Sequence, residues 1–481
     1  MTPITRRQAL SLFPVPLFGA RSKKKNVLVL MTDEHQHQGF SIANHPIART
    51  PNLDALARTS MRFDNAYCTS PVCVPSRFSY MTGVYPHRGQ VWGNTHPWPA
   101  EFKTIGDYFT AAGYRTANIG KLHAVSRGNH GFEEYIDHEE WFASIGPEKA
   151  RIFQQETALK TKDGRKGPLP VGRMSLLAEE DHFESFVARE SIRFLKQHKS
   201  EPFLLVSSFV KPHDPFMPAK RWFNMFPRES VKLPDTWGKL DLATVPRFIK
   251  HMVEASPVTP ELLDPEQARM RVACYYANLA QADDCIGKVL GTLSELGLDD
   301  DTIVMYLADH GDMAGDKGLW LKFIMYENSV GVPLMFRVPG LTEADARSKT
   351  HVSLTQVMPT LLDLCGVPVP SGLDGDSLAA DLREPGRTRD TAVFSEFNLR
   401  NSGAKYMIRR GDYKLNYWVN DMPELFNLKE DPKEMKNLAL LPEHKGRFDE
   451  LKSQLFAWYK PPEKSVSRRQ SSNRYIVSEY R

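Results

Sequence analysis

The sequence predicts an α/β fold, with a large central mostly parallel sheet sandwiched by helices and a smaller C-terminal α+β subdomain. Three observations predict it. Short apolar runs of strand length recur along the chain and end in polar residues, and helical patterns alternate with them. Near residue 385 the pattern changes to short strand candidates followed by one helix. A chain of 481 residues has room for two or three domains and a large core. The expected organisation is an export segment over 1–22, a main domain over 25–384, a C-terminal subdomain over 385–460 and a basic tail over 461–481.

Taken in order, the first element is Thr5, Arg6, Arg7, Gln8, Ala9 and Leu10, followed by an apolar stretch to Ala20. It resembles a twin-arginine export signal and places the protein in the periplasm or outside the cell. A plain basic terminus, suggested by Pro14 and Pro16, is the alternative and would leave the protein in the cytoplasm. Val27 to Met31 then reads as a strand buried on both faces, ending in Thr32, Asp33 and Glu34. Tyr114 to Ile119 ends in Gly120, Lys121, Leu122 and His123; Phe203 to Phe209 leads to Lys211, Pro212 and His213; Thr302 to Ala308 leads to Asp309 and His310. Open α/β sheets place their sites beyond the carboxyl ends of their strands, so these four strands are expected to converge on one site. Ala268 to Leu296 reads as a helix closed by Gly297. The stretch 216–265, rich in Pro and aromatic residues, is either a lid over the site or an irregular surface excursion. Lys405 to Arg409 and Tyr413 to Tyr417 are strand candidates of the subdomain, and its helix lies near Lys445 to Tyr459.

Composition excludes several classes. With 41% hydrophobic and 25% charged residues, the bulk is an ordinary folded chain, and a net charge of +4 gives no case for nucleic acid. No apolar run is long enough to span a membrane. The five cysteines, 68, 73, 274, 285 and 365, are odd in number and lack CxxC spacing, so neither a disulfide framework nor a structural zinc site is expected.

The most informative stretch is Cys73, Val74, Pro75, Ser76, Arg77, Phe78, Ser79, Tyr80, Met81, Thr82 and Gly83, followed by Tyr85, Pro86, His87 and Arg88. Pro75 suits a first helical turn, which puts Cys73 at a helix N-terminus where the dipole favours an anion. Arg77 lies one turn along and can face the same anion. On these grounds alone, a reactive cysteine beside an anion site stands against a buried structural thiol.

CxPSR followed by MTG and the YPHR stretch resembles the signature of formylglycine-dependent sulfatases, members of the alkaline-phosphatase superfamily. The resemblance runs from Asn26 to about Leu438 and is closest in feel to the choline-sulfatase-like and polysaccharide sulfatase branches. It implies that a maturation enzyme oxidises Cys73 to formylglycine, and that one Ca²⁺ ion, rather than Mg²⁺, is held by Asp33, Glu34, position 73, Asp309 and His310. Glu34 and His310 depart from the commonest pattern of Asp or Gln and of Asn. The resemblance further implies that Arg77 and Lys121 hold nucleophile and sulfate, and that His123 is the base that eliminates sulfate. It makes His213 and Lys322 the residues that bind the ester and protonate its leaving group, with Asn94 beside the substrate. Lys121 and His123 alternate in sequence and are expected to flank the substrate from an extended segment. Cys68 and His96 carry no assigned role, and His35 and His37 are read as surface residues after a strand.

The function so implied is hydrolysis of sulfate monoesters of a carbohydrate or other small alcohol. A phosphonate or phosphate monoester hydrolase of the same fold is the rival within enzymes, and an inactive relative that only binds sulfated glycans is the rival outside them. The pair Lys121 and His123 favours the sulfatase reading, since phosphonate-specialised relatives tend to carry Tyr and Thr there.

Overall fold

The computed structural model describes residues 24–125, 128–157, 171–255, 260–398 and 403–461. The expected export segment and nearly all of the basic tail lie outside the described residues. The large sheet is built from β1 (Asn26–Asp33), β2 (Met61–Tyr67), β3 (Arg115–Gly120), β4 (Glu134–Ile136), β5 (Phe203–Pro212), β6 (Thr302–Ala308), β7 (Leu334–Arg337) and β8 (Arg347–Ser353). Their order across the sheet is β4-β3-β5-β1-β6-β7-β2-β8, and β7 alone runs antiparallel to its neighbours. The mostly parallel sheet expected from the apolar runs is therefore present, with β1 at its centre between β5 and β6.

Every residue of β1 is buried, as a strand covered on both faces requires. Val27, Val29 and Met31 enter one apolar core, which also holds Val74 and Phe78 of the Cys73–Thr82 helix. Leu28 and Leu30 enter the opposite core with Phe186 and Phe194 of the Phe183–His198 helix. The two-residue period of the strand thus distributes its side chains between two layers of helices. The long helix Pro265–Glu295 begins at Asp264, whose carboxylate accepts from the backbone N–H groups of Glu266 and Gln267. It ends before Gly297 in the left-handed conformation that a glycine tolerates.

A second, antiparallel sheet follows, formed by β9 (Val393–Phe397), β10 (Lys405–Arg410), β11 (Tyr413–Trp418) and β12 (Glu424–Asn427) in the order β12-β11-β10-β9. Tyr406 and Ile408 pack under the Lys445–Trp458 helix with Leu451 and Leu455, whereas Met407 points into the core of the large sheet. Within 216–265, Trp222 and Phe226 are buried in that same core, and Trp237 meets Trp320 edge to face at 5.9 Å. Packing of these rings ties this part of the chain to the core.

Candidate active site

Cys73 is the first residue of its helix, preceded by Val72 in extended conformation and followed by Pro75 in the first turn. Val72 has no side chain that can cap the helix. The cap comes instead from Asn94, whose Oδ1 accepts from the backbone N–H of Val74 at 3.1 Å. Asn94 therefore ties its loop to the turn that carries Cys73.

Asp33 ends β1 and Asp309 follows β6. These strands are neighbours in register, with Thr32 opposite Ala308, so the two carboxylates arrive side by side. Like charges in the same buried place repel unless a cation intervenes. Arg77 supplies one, its Nη2 donating to Asp33 Oδ2 at 3.0 Å and its Nε to Asp309 Oδ2 at 2.8 Å, with no exposure of any of the three side chains. Its Nη1 donates to the Lys121 carbonyl and to Ser208 Oγ, the latter at 3.1 Å.

Around Cys73 Sγ lie His310 Nε2 at 3.3 Å and, each at 3.8 Å, Lys121 Nζ, Lys322 Nζ and Asp33 Oδ1. Lys121 also pairs with Asp33 Oδ2 at 2.5 Å. His310 donates from Nδ1 to the Gly311 carbonyl at 3.0 Å, which turns Nε2 toward Cys73. Burial pushes the Cys73 thiol up, but Lys121, Lys322 and His310 outweigh it and hold the group well below its ordinary value. Burial and Cys73 likewise raise Asp33, while Lys121, His213 and Arg77 prevail and keep it an anion. His310 shows the reverse balance, since burial lowers it and Asp309 beside it lifts it to about 9.

The donor atoms of Asp33, Cys73, Asp309 and His310 all lie within 4.8 Å of one another, close enough to share one metal ion. Two carboxylates, an imidazole and the side chain at 73 fit a divalent cation. Glu34 stands apart from this group. Its backbone is left-handed (φ 66), and its carboxylate forms an ion pair with Lys322 and lies 3.9 Å from His213 Nδ1. His213 Nε2 is 3.0 Å from Lys322 Nζ, so Glu34, Lys322 and His213 form a second cluster against the first.

Two expectations are corrected. His123 does not continue an extended segment, because its φ is 59, and this local turn swings the ring relative to Lys121. His35 is fully buried rather than at the surface; its Nε2 donates to the Gly39 carbonyl at 3.1 Å and its Nδ1 accepts from Tyr306 Oη at 2.7 Å. With both nitrogens partnered, burial holds it neutral, down to about 3. His37 is half-buried, and His96 Nδ1 lies 3.3 Å from the Gly93 carbonyl of its own turn. All five cysteines are free thiols, and Cys68 is buried and held far above its ordinary value by burial.

Sequence reasoning missed the serines that fix the site. Ser76 Oγ donates to the Asp309 carbonyl at 2.6 Å, and Ser208 Oγ to the Lys121 carbonyl at 2.6 Å. The signal for Ser208 was present as the pair Ser207 and Ser208 inside the otherwise apolar stretch 203–210 of β5. Gly120 belongs with them, since at φ 101 a Cβ would lie 2.0 Å from the Ser208 carbonyl oxygen.

Residues 25–367 match the family model described as Sulfatase. The chain belongs to the sulfatase family. Residues 315–460 of this sulfatase also match the model described as N-sulphoglucosamine sulphohydrolase, C-terminal. The chain is 31% identical to a choline-sulfatase of Rhizobium meliloti over 86% of its own length and 82% of that enzyme's. It is 31% identical to an arylsulfatase of Clostridium perfringens over 89% and 93% of the two chains. Among solved structures, a phosphonate monoester hydrolase of Silicibacter pomeroyi superposes with a TM-score of 0.79 at 23% identity, covering 92% and 97% of the two chains, a likeness of fold. This sulfatase is a sulfuric ester hydrolase. No helix among its described residues is long and apolar enough to cross a membrane.

Proposed function

We propose that this sulfatase cleaves sulfate monoesters of a carbohydrate or another small alcohol, with a formylglycine made from Cys73 and one bound Ca²⁺ ion. The observation that carries the proposal is the close set of Asp33, Asp309 and His310 around position 73, with Lys121 and Lys322 both 3.8 Å from its Sγ. That sulfur stands in for the oxygens of a hydrated formylglycine. The sugar reading is supported by the C-terminal match to a sulphoglucosamine sulphohydrolase, and the small-alcohol reading by the choline-sulfatase relative.

Asp33, Asp309 and His310 would hold the cation together with position 73. The cation supplies charge neutralisation at the sulfate oxygens, and hydrated formylglycine supplies an oxygen nucleophile. Glu34, expected as a further ligand, is assigned here to Lys322 and His213 instead. Arg77 keeps both aspartates aligned. Lys121 and Lys322 face the space over position 73 and meet the anionic ester. Lys322 and His213, in contact with each other, place a proton beside the departing alcohol oxygen. His123 is the base: burial and then Lys121 hold its ring below the ordinary value, and its buried Nδ1 makes no hydrogen bond within the protein. A neutral imidazole can take the proton whose removal releases sulfate. Asn94 acts on the nucleophile through the helix turn that it caps. Export by the N-terminal segment to the periplasm or beyond, and maturation by a formylglycine-generating enzyme, belong to the same proposal.

The deciding experiment compares phenyl sulfate with phenyl phosphonate on matured, Ca²⁺-loaded enzyme. Faster sulfate turnover is expected; faster phosphonate turnover replaces the proposal with the phosphonate hydrolase reading.

A further inference from the structure

A cleft of about 630 Å³ opens between the large sheet and the small one. None of Cys73, Lys121, His123, His213 or Lys322 lines it. The wall between it and the Cys73 centre is the chain just after β1. There Gln36 donates from its side chain to the Asp312 carbonyl at 3.1 Å and from its backbone to Tyr275 Oη at 3.2 Å, and Tyr275 in turn donates to the Glu34 carbonyl at 2.7 Å.

Most charges of the cleft are already matched. Asp235 pairs with Lys433 at 3.3 Å, Asp316 with Lys317 at 2.7 Å and Glu327 with Arg409 at 3.2 Å. Asp64 pairs with Arg347 at 3.0 Å and Glu434 with Lys414 at 2.8 Å. A free cation would meet acids that already hold cations, and a free anion would meet five carboxylates. Neither gains much. A ligand bearing hydroxyl groups, each both donor and acceptor, can bond to such pairs without separating them. Gln38 and Asn328 on the same lining add amide donors and acceptors for such a ligand. Between the charged groups lie Pro46, Ile47, Leu233, Pro234 and Val272, apolar surface suited to the C–H face of a pyranose ring.

We infer that this interdomain cleft is a saccharide-binding site distinct from the Cys73 centre, taking an uncharged glycan segment of about two or three sugar units by volume. Its polar partners come from both sheets, with Asp64 and Asn65 on β2 and Arg409 on β10. A bound glycan therefore bridges the two parts of the molecule. The inference does not depend on the identity of the sulfate ester cleaved.

The test is calorimetric titration of the full-length, Ca²⁺-loaded enzyme with unsulfated cello-, malto-, chito- and agaro-oligosaccharides. Asn65→Trp and Pro46→Trp are made as variants that fill the cleft from different walls, and their melting curves report folding. At least one oligosaccharide is expected to bind wild type, each variant to weaken it by about tenfold or more, and turnover of phenyl sulfate to stay unchanged. Three outcomes overturn the inference: no binding by any of the four at about 10 mM, binding unaltered in both variants, or competition between the bound oligosaccharide and phenyl sulfate. Should one variant not fold, the other decides.

Discussion

Arg77 Nε donates to Asp309 Oδ2 at 2.8 Å while the same guanidinium reaches Asp33, and none of the three side chains has any exposed surface. A fork with fixed geometry here does what a point charge cannot, because it meets two carboxylates from two strands at once. Replacing it with a neutral chain leaves buried charge uncompensated. Arg77→Met is expected to lose about 3–5 kcal/mol of stability and most activity, read by denaturant unfolding and by turnover. Arg77→Lys should recover part of the stability and little of the activity.

Removal of the cation has the same electrostatic sense. Chelation is expected to abolish turnover and lower the melting temperature, and added Ca²⁺ to restore both, because Asp33 and Asp309 then share one buried place with only the side-chain cations Arg77 and Lys121 and the His310 ring against them. Asp309→Ala should remove the Ca²⁺-dependent gain in melting temperature without unfolding the chain. Full activity of chelated enzyme would remove the ion from the proposal.

Position 73 offers a direct chemical reading. Mass spectrometry of the proteolytic peptide carrying Cys73, from enzyme made alongside a maturation enzyme, should show the aldehyde in place of the thiol. Active enzyme carrying only the thiol there refutes the nucleophile.

Loss of the base should separate the two halves of the reaction. His123→Ala is expected to accumulate enzyme heavier by one sulfate group in intact mass spectra, with turnover falling by a factor on the order of 10² to 10⁴. Normal turnover, or no mass increment under excess substrate, reassigns the base.

A pH effect on stability is expected from a residue outside the Cys73 centre. Glu424 is fully buried in β12 and accepts from Tyr326 Oη at 2.6 Å and from Trp418 Nε1 at 3.0 Å. Burial, with Glu434 adding to it, raises its carboxyl to about 7. A carboxyl raised in the folded state contributes stability at low pH that is lost as pH climbs from its unfolded value toward 7. Glu424→Gln stays neutral throughout. Its stability relative to wild type should therefore rise between pH 5 and pH 8, by on the order of 1–3 kcal/mol. A difference that does not vary with pH would show that Glu424 is not the titrating group.

Local pattern carried much of the fold. The burial of β1, the helix start at Cys73, the closure at Gly297 and the polar residues past β1, β3, β5 and β6 follow from strand period, proline and glycine geometry and helix capping. Such signals are written within a few residues of where they act. β2, β4, β7, β8, β9 and β12 escaped, although β2 leads into the turn that carries Cys73, because β2 is polar and half-exposed in its middle and β4, β7 and β12 have only three or four residues. Strands of that kind lack the continuous apolar run by which the others are recognised.

What sequence by itself determined is the set of chemical groups and the strand ends that present them. Tertiary structure decided how those groups pair. Arg77 and Asp309 are 232 positions apart, and they meet because β1 and β6 lie in register beneath the Cys73 helix. Glu34 and Asp33 are adjacent in the chain, yet one carboxylate turns to Lys322 and the other to Arg77 and Lys121. Side-chain direction at a strand end depends on the backbone turn that follows, and the energy of each buried charge depends on which opposite charge the packing brings beside it. Neither quantity is local, so neither could be read before the sheet was assembled.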